Sequence, residues 1–215
     1  MRIDPAGYVF VGGAALLAVL LALAGLGPWA VIPFVLAGFF LFFFRDPDRS
    51  AVIGSDDVVS PADGRVVLAG DPEAGAAPPG EWRQISIFLS PLDVHVNRIP
   101  VTGVVTRVEY TPGKFLPAYR ADAAVANERN EVWIDRGGQT IVCRQVVGIL
   151  ARRIVCRVAE GARVVAGQRF GVMKFGSRID LYLPLGTELR VRPGDPVRSG
   201  VTLLATLPPV GRTEA

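Results

Sequence analysis

Histidine, cysteine and lysine are scarce in this sequence of 215 residues, which has one His, two Cys and two Lys. So few ligands exclude a zinc cluster, and Cys143 and Cys156 are too far apart for a Cys-x-x-Cys redox pair. We expect both thiols to be reduced residues of the core. Neither Lys114 nor Lys174 has the sequence context of a lipoyl or biotinyl attachment site. The sequence also lacks a basic run with interleaved aromatic residues, so we expect no nucleic acid as a partner.

Charged residues are missing altogether between Pro5 and Phe44, whereas beyond this stretch they occur at an ordinary density. A continuous helix of 40 residues would be about twice as long as a hydrocarbon core of ~30 Å is thick. The pair Gly27-Pro28 therefore predicts a turn between two apolar segments, at about 8–26 and 29–44. The sequence thus predicts a hydrophobic helical hairpin, which either spans the bilayer or is re-entrant.

The flanks of this apolar stretch indicate its orientation. The opening MRIDPAGY balances Arg2 with Asp4, and no small-residue cleavage site leads into a polar region, which argues against a removed signal peptide. Arg2 on one side and Arg45 and Arg49 on the other favour the cytoplasmic side for both ends. We therefore predict a membrane anchor in residues 1–46 and a domain that works at the inner face of the membrane.

The pattern of residues 47–215 predicts a mainly β domain. Short β-branched runs bounded by Gly and Pro follow one another, and no long apolar stripe of helical period occurs. A G-x-x-V-x-x-G element occurs at 161–167 and again, 33 residues later, at 194–200. We expect its glycines to form tight turns with positive φ, and Val164 and Val197 to pack inward. The element resembles the hairpins of barrel-sandwich domains such as lipoyl and biotinyl carriers.

The single histidine, His95, is the first candidate for chemistry. It alternates with valines in SPLDVHVNRIP, and Asp93 lies two residues earlier, on the same face of a strand. Asp63 and Ser177 complete a set of Asp, His and Ser in the chain order of one class of serine peptidases. Ser177 follows Gly176 but lacks the flanking glycines of a G-x-S-x-G elbow, which excludes an α/β-hydrolase nucleophile.

Five motifs in sequence, together with the hydrophobic leader, give the chain a resemblance to a known family. They are FFRDPDR (43–49), PADGRV (61–66), DVHVNRIP (93–100), YTPGKF (110–115) and FGSR (175–178). In type and order they resemble those of the short bacterial form of phosphatidylserine decarboxylase. The resemblance extends over nearly the whole chain. Longer members of that family carry LGST where this chain has FGSR.

The resemblance implies a proenzyme that cuts its own backbone between Gly176 and Ser177. The products would be a large β chain, 1–176, and a small α chain, 177–215, which stay together as a heterodimer. A higher homo-oligomer is left open. The resemblance also implies the bacterial inner membrane as the location of the protein, with the catalytic domain on the cytoplasmic side.

The resemblance further implies a role for each candidate residue. Ser177 would attack the preceding carbonyl, with His95 as the general base and Asp63 orienting His95. Ser177 would thereby become a covalent pyruvoyl cofactor, which forms a Schiff base with phosphatidylserine. Loss of carbon dioxide would then give phosphatidylethanolamine, with the pyruvoyl group as the electron sink. Neither a free cofactor nor a metal is implied.

One position departs from the family's pattern. Many relatives have two histidines in a His-x-x-His spacing, whereas here His95 is followed by Arg98. Whatever proton transfer the second histidine provides in those relatives must come here from His95, another group or water. Arg98 and Arg178 are candidate ligands for the lipid phosphate or the substrate carboxylate, and the alternative is that both are ordinary strand residues.

Three hypotheses from different classes of protein remain. The first is a pyruvoyl-dependent phospholipid decarboxylase, and the second is a membrane-bound serine peptidase that uses Asp63, His95 and Ser177. The third is a non-catalytic barrel-sandwich adaptor. The peptidase leaves the context of Ser177 unexplained, and the adaptor explains neither FGSR nor DVHVNRIP. The motifs therefore favour the first, with either a diacyl lipid or an archaeal ether lipid as the substrate.

Overall fold

A computed structural model describes residues 2–120, 122–149, 154–174 and 176–210. Phe175 of the FGSR motif and the last five residues of the predicted α chain lie outside the described residues. The chain divides into two compact units, Met1–Asp48 and Arg49–Ala215. The sequence-based boundary was drawn two residues earlier, between positions 46 and 47.

The first unit consists of two apolar helices between two short strands. Its elements are β1 (Arg2–Ile3), a 3₁₀ turn (Pro5–Gly7), α1 (Tyr8–Leu23), α2 (Gly27–Phe43) and β2 (Arg45–Asp46). Strands β1 and β2 pair antiparallel. The ring of Phe10, near the start of α1, lies 5.3 Å from that of Phe40, near the end of α2, so the helices run antiparallel. The helical stretch Pro5–Leu23 is long and apolar enough to cross a membrane, and Gly27–Phe43 is shorter.

The turn between the two helices lies slightly earlier than Gly27-Pro28, where the sequence predicted it. Helix α1 ends at Leu23, and Gly25 adopts a left-handed φ of +76° in the turn. Pro28 belongs to the first turn of α2. A proline suits that position because its missing N–H has no partner in a helix anyway. Pro33 lies inside α2 and does not end it.

The second unit is built almost entirely of strands, with one short helix, α3 (Ala123–Ala126), among its described residues. The strands are β3 (Asp57–Val59), β4 (Gly64–Gly70), β5 (Trp82–Leu89), β6 (Val96–Arg98), β7 (Gly103–Thr111), β8 (Arg129–Arg136), β9 (Gln139–Val147), β10 (Ile154–Cys156), β11 (Arg163–Val164), β12 (Arg169–Met173), β13 (Ser177–Pro184), β14 (Glu188–Leu189), β15 (Pro196–Val197) and β16 (Leu203–Thr206). The prediction of a mainly β fold behind an apolar N-terminal helix is confirmed.

Eight of these strands form one curled sheet in the order β11-β7-β8-β9-β13-β5-β4-β15. Two three-stranded sheets, β10-β12-β6 and β14-β16-β3, complete the unit. Strand β13 lies in the middle of the large sheet, antiparallel to β5 on one side and to β9 on the other. Its alternate residues Ile179, Leu181 and Leu183 point into the hydrophobic core.

The repeated G-x-x-V-x-x-G element forms two equivalent turns. Its four glycines have φ values from +70° to +99°. Val164 and Val197 are both buried, Val164 in β11 against β7 and Val197 in β15 against β4. Both features agree with the sequence prediction, since only glycine adopts such φ values without strain.

The backbone hydrogen-bond partners of the two turns are equivalent as well. The amides of Gly161 and Gly194, which begin the two elements, donate to the carbonyls of Val105 (2.7 Å) and Val66 (2.8 Å). The closing amides, of residues 167 and 200, donate to carbonyls at positions 99 and 60. The segments 60–66 and 99–105 are therefore related in the same way as the two glycine elements, and the PADGRV motif lies in the first of them.

Candidate active site

Ser177 is the first residue of β13 and follows a glycine with a left-handed backbone. Gly176 has a φ of +72°, which residues with a side chain rarely adopt. Ser177 pairs with Leu89 on one side and Val147 on the other. Its Oγ is buried and has no hydrogen-bond partner among the described residues. A buried hydroxyl without a partner is destabilising, so its presence at a backbone turn indicates a functional constraint.

His95 lies beside this peptide, although the two are 81 residues apart in the chain. It is fully buried just before β6, and its Nδ1 is 2.9 Å from the carbonyl oxygen of Asp93. Because a carbonyl only accepts, this contact places the proton on Nδ1 and the lone pair on Nε2. Nε2 in turn accepts a long hydrogen bond, 3.4 Å, from the amide of Gly176. The basic nitrogen of the single histidine thus faces the backbone next to Ser177.

Asp63 has other partners in this structure. Its carboxylate forms an ion pair with both terminal nitrogens of Arg49, and its Oδ1 accepts from the amide of Ser199 at 2.8 Å. Among the described residues, no hydrogen bond joins Asp63 to His95. A link runs through Ser199, whose Oγ lies 3.5 Å from the carbonyl oxygen of Val96, the residue after His95.

The other copy of the repeated turn, residues 161–167, has a counterpart of the contact between Asp63 and Ser199. There the Oγ of Thr102 accepts from the amide of Ala166 at 3.1 Å, in the position where Asp63 accepts from Ser199. Thr102 carries no charge, yet it performs the same capping task. Oδ1 of Asp63 therefore holds a turn, and both oxygens of its carboxylate pair with Arg49.

The two candidate arginines are both buried and both engaged with the protein. The guanidinium of Arg178 forms ion pairs with Asp180 and with Glu73 (2.6 Å), and it also donates to the hydroxyl of Ser86 (3.0 Å). Arg98 donates to the carbonyl of Gly167 at 3.0 Å. Burial lowers the pKa of Arg178, but Asp180 and Glu73 outweigh it and keep the pKa above its ordinary value. Arg178 is therefore charged at every accessible pH.

An apolar cavity of about 340 Å³ opens beside Gly176. It is lined by Phe88, Pro91, Pro117, Ala118, Tyr119 and Ile149, together with Gly148 and Gly176. The side chains of Tyr119 and Ile149 are largely exposed, as is that of nearby Leu92. A cavity of this chemistry accommodates a hydrocarbon or another weakly polar group next to the Gly176–Ser177 peptide.

The sequence alone did not single out several residues of this site. The sequence marks Arg49 only by its charge and its place in the FFRDPDR motif, and it marks neither Glu73 nor Gly148. Glu73 lies 105 residues from Arg178, with which it pairs. No local pattern marks such a partner, although Arg49 belongs to the FFRDPDR motif and could have been found there.

A hydroxyl nucleophile, a histidine whose basic nitrogen faces the neighbouring backbone and a glycine in a left-handed conformation define a candidate site for cleavage of the protein's own backbone. Comparison with known proteins identifies the family. The phosphatidylserine decarboxylase family model matches residues 36–205, and the chain belongs to this family. The resemblance drawn from the five motifs is thus confirmed, and the first of the three hypotheses is the one supported.

Curated relatives agree over almost the whole chain. A phosphatidylserine decarboxylase proenzyme of Magnetococcus marinus is 42% identical over 200 residues, which are 93% of this chain and 90% of the relative. The proenzyme of Nitrosomonas europaea is 43% identical over 200 residues, 93% of this chain and 92% of the relative. That of Geobacter metallireducens is 43% identical over 212 residues, 94% and 95% of the two chains.

Proposed function

We propose that the protein is a proenzyme that becomes a pyruvoyl-dependent phosphatidylserine decarboxylase, which converts phosphatidylserine to phosphatidylethanolamine and carbon dioxide. The observation that carries the proposal is the contact between Nε2 of His95 and the amide of Gly176, beside the buried hydroxyl of Ser177. Membership of the decarboxylase family supplies the reaction class. The relatives' description as proenzymes supports activation by cleavage.

In the first step the Oγ of Ser177 attacks the carbonyl carbon of Gly176. The Oγ proton passes to Nε2 of His95 and then to the nitrogen of Ser177, as the C–N bond breaks and an ester forms. The left-handed φ of Gly176 supports this assignment, because only a glycine holds the scissile peptide in this conformation without a steric penalty. Removal of the α-proton of Ser177 then eliminates the ester as the carboxylate of Gly176. The resulting dehydroalanine takes up water and releases ammonia, which leaves a pyruvoyl group.

The surroundings of Ser177 suit a pyruvoyl group. It would stand at the first position of β13, where the present hydroxyl has no partner among the described residues and the apolar cavity begins. The carbonyl of such a group supplies the electron sink for loss of carbon dioxide from an amino acid headgroup. His95, whose Nδ1–H is oriented by the carbonyl of Asp93, is the group that can hold a proton there.

The remaining site residues receive supporting roles. We assign Asp63 to positioning, since its carboxylate holds the turn at Ser199 rather than His95 itself. Arg98, on the strand that follows His95, is the proposed ligand of the lipid phosphate or the substrate carboxylate. The guanidinium of Arg178 already contacts three protein groups, which favours a structural role for it over substrate binding.

The apolar cavity and the N-terminal helix support a lipid substrate. The first carbons of an acyl chain match the apolar lining of the cavity, and the exposed side chains of Leu92, Tyr119 and Ile149 would contact the lipid surface. The helical stretch Pro5–Leu23 is long enough to hold the enzyme in the bilayer. We place the catalytic domain at the cytoplasmic face of the bacterial inner membrane, on the strength of the arginines that flank the apolar stretch.

The proposal is tested by intact-mass measurement of the purified protein under denaturing conditions. Two fragments are expected, 1–176 and 177–215, the smaller with a pyruvoyl terminus that blocks Edman sequencing. Ser177→Ala and His95→Ala should each give a single uncut chain without decarboxylase activity. Ser60→Ala removes another fully buried hydroxyl and should leave cleavage unchanged. An uncut wild-type chain that still decarboxylates phosphatidylserine would falsify the proposal.

A further inference from the structure

A second glycine, Gly148, packs directly against the Gly176–Ser177 peptide. It follows β9, the strand that pairs with β13 at Ser177. A Cβ added to Gly148 would lie 2.3 Å from the carbonyl oxygen of Gly176 and 3.2 Å from its carbonyl carbon. Real Cβ atoms essentially never approach another heavy atom within 3.0 Å. Gly148 therefore leaves open the space into which this carbonyl points.

Backbone conformation gives no reason for a glycine at this position. The φ of Gly148 is not positive, whereas that of Gly176 is. The steric surroundings differ in the opposite sense, because a Cβ added to Gly176 would meet no atom within 4 Å. The two glycines thus have different tasks. Gly176 provides the conformation of the peptide, and Gly148 provides the room for its oxygen.

We propose that Gly148 is a positioning residue for self-cleavage, an inference that rests on the proposed function. During attack by the Oγ of Ser177, the carbonyl carbon becomes tetrahedral and its oxygen takes up negative charge. A methyl group at Gly148 would force this oxygen aside by roughly 0.7 Å, the difference between 2.3 and 3.0 Å. It would turn the peptide plane and misdirect the carbonyl carbon relative to Oγ. Misplacement on this scale costs roughly tenfold to a hundredfold in rate.

The chain offers a matched control for the same steric change elsewhere. A Cβ added to Gly103 would lie 2.4 Å from the carbonyl oxygen of Asp135, and Gly103 likewise has no positive φ. That contact lies between β7 and β8, two strands that do not include the Gly176–Ser177 peptide. Gly103→Ala should therefore disturb the sheet as Gly148→Ala does without touching the reacting carbonyl.

The experiment follows cleavage of the full-length chain over time after cell-free synthesis, by intact mass. Relative to wild type, Gly148→Ala should be cut at least about tenfold more slowly, and Gly103→Ala at nearly the wild-type rate. Thermal unfolding of both variants in the uncut Ser177→Ala background measures how far each disturbs the fold. Equal destabilisation with unequal cleavage is the result that a merely structural role of Gly148 would not give.

A double variant separates the carbonyl from the packing of the cavity. The added Cβ would also lie 3.3 Å from the Cβ of Ala118. Ala118→Gly with Gly148→Ala removes that contact and keeps the one to the oxygen, so it should fold and still be cut slowly. If Gly148→Ala alone does not fold, the cleavage rate is measured on this double variant instead.

Three results would overturn the inference: wild-type cleavage of Gly148→Ala, equal slowing by Gly103→Ala, or full recovery of the rate in the double variant. Failure of the proposed function itself looks different, since the wild-type chain would then not be cut at all. With wild type cut and Gly148→Ala cut equally fast, only the inference about Gly148 is lost.

Discussion

Arg49 and Asp63 face each other, with the two terminal nitrogens of the guanidinium against the two oxygens of the carboxylate. The two residues are fourteen positions apart, and Nη2 donates to Oδ2 at 2.7 Å. Their side chains are only 12% and 14% exposed, and Arg49 also donates to the carbonyl of Ser199 at 3.0 Å. The pair therefore connects the start of the β domain to the PADGRV turn and to the second glycine element. Planar, two-point pairs of this kind are the strongest that arginine makes.

This geometry predicts strong coupling between Arg49 and Asp63. In the uncut Ser177→Ala background, Arg49→Gln and Asp63→Asn should each lower the free energy of unfolding, with a coupling energy of about 0.5–3 kcal/mol in a double-mutant cycle. Urea denaturation measures it, and Arg65→Gln, an exposed neighbour, serves as the control. In chains that retain Ser177, we expect both substitutions to slow cleavage to a similar extent. A much larger effect of Asp63→Asn alone would point to direct action on His95.

Arg178 is expected to stabilise the fold through charge compensation. Arg178→Met would leave the fully buried Asp180 without its cation and should lower the free energy of unfolding by about 3–5 kcal/mol. Arg178→Lys keeps the charge but loses the planar donor set, so its loss should be smaller. Chemical denaturation of the Ser177→Ala chain provides the measurement. Unchanged stability of Arg178→Met would contradict the structural role and return this residue to the candidates for substrate binding.

The two predicted fragments should remain one particle after cleavage. Strand β13 of the small fragment lies between β5 and β9, and β15 and β16 pair with β4 and β3. All four of the large-fragment partners precede the cut. Size-exclusion chromatography of the cut protein in detergent should give one peak with both fragments, which separate only in denaturant. A small fragment that elutes alone under native conditions would rule this arrangement out.

Cys143 should be inert in the folded protein. Burial, followed by the nearby Cys156 and Asp180, raises the pKa of its thiol far above the ordinary value of 9.0. At pH 8 iodoacetamide should modify the half-buried Cys156 but not Cys143, and denaturant should expose both. Alkylation of Cys143 at the rate of Cys156 in the native protein would contradict the burial.

The same raised pKa has a consequence for stability. Above the ordinary thiol value the unfolded chain loses a proton that the folded chain keeps, so the contribution of Cys143 is complete below pH 9 and declines as the pH rises. Urea denaturation of the Ser177→Ala chain between pH 8 and pH 10 should therefore give a steeper loss of stability than the same chain with Cys143→Ala. Parallel curves for the two chains would show that the thiol does not titrate in this way.

Local features of the fold were readable from the sequence, and contacts between distant strands were not. The turns at 161–167 and 194–200 could be predicted from the sequence, because the glycines with positive φ and the inward valine all lie within seven consecutive residues. The turn between the helices was misplaced slightly, since Gly27-Pro28 can either break a helix or begin one. The roles of His95 and Ser177 came from the family resemblance, and their proximity depends on how β6, β12 and β13 are arranged.

The partners of the site residues depend on strand register, which the sequence does not reveal. Arg178 meets Glu73 only because the segment after β4 folds back over the face of β13 that carries Arg178 and Asp180. Gly148 lies against Gly176 only because β9 ends opposite the first residue of β13. A shift of one residue in the pairing of β9 with β13 would place a residue other than Val147 opposite Ser177 and move Gly148 away from the carbonyl of Gly176.

The central position of β13 determines how long the proposed cofactor lasts. A bound cofactor can be exchanged when it is damaged, but a group made from Ser177 is part of a strand whose neighbours hold it along eight residues on one side and six on the other. Replacement would require the sheet to open and a new strand to enter. Each molecule would therefore carry one reactive carbonyl for its lifetime, and chemical loss of that group would call for synthesis of a whole new chain.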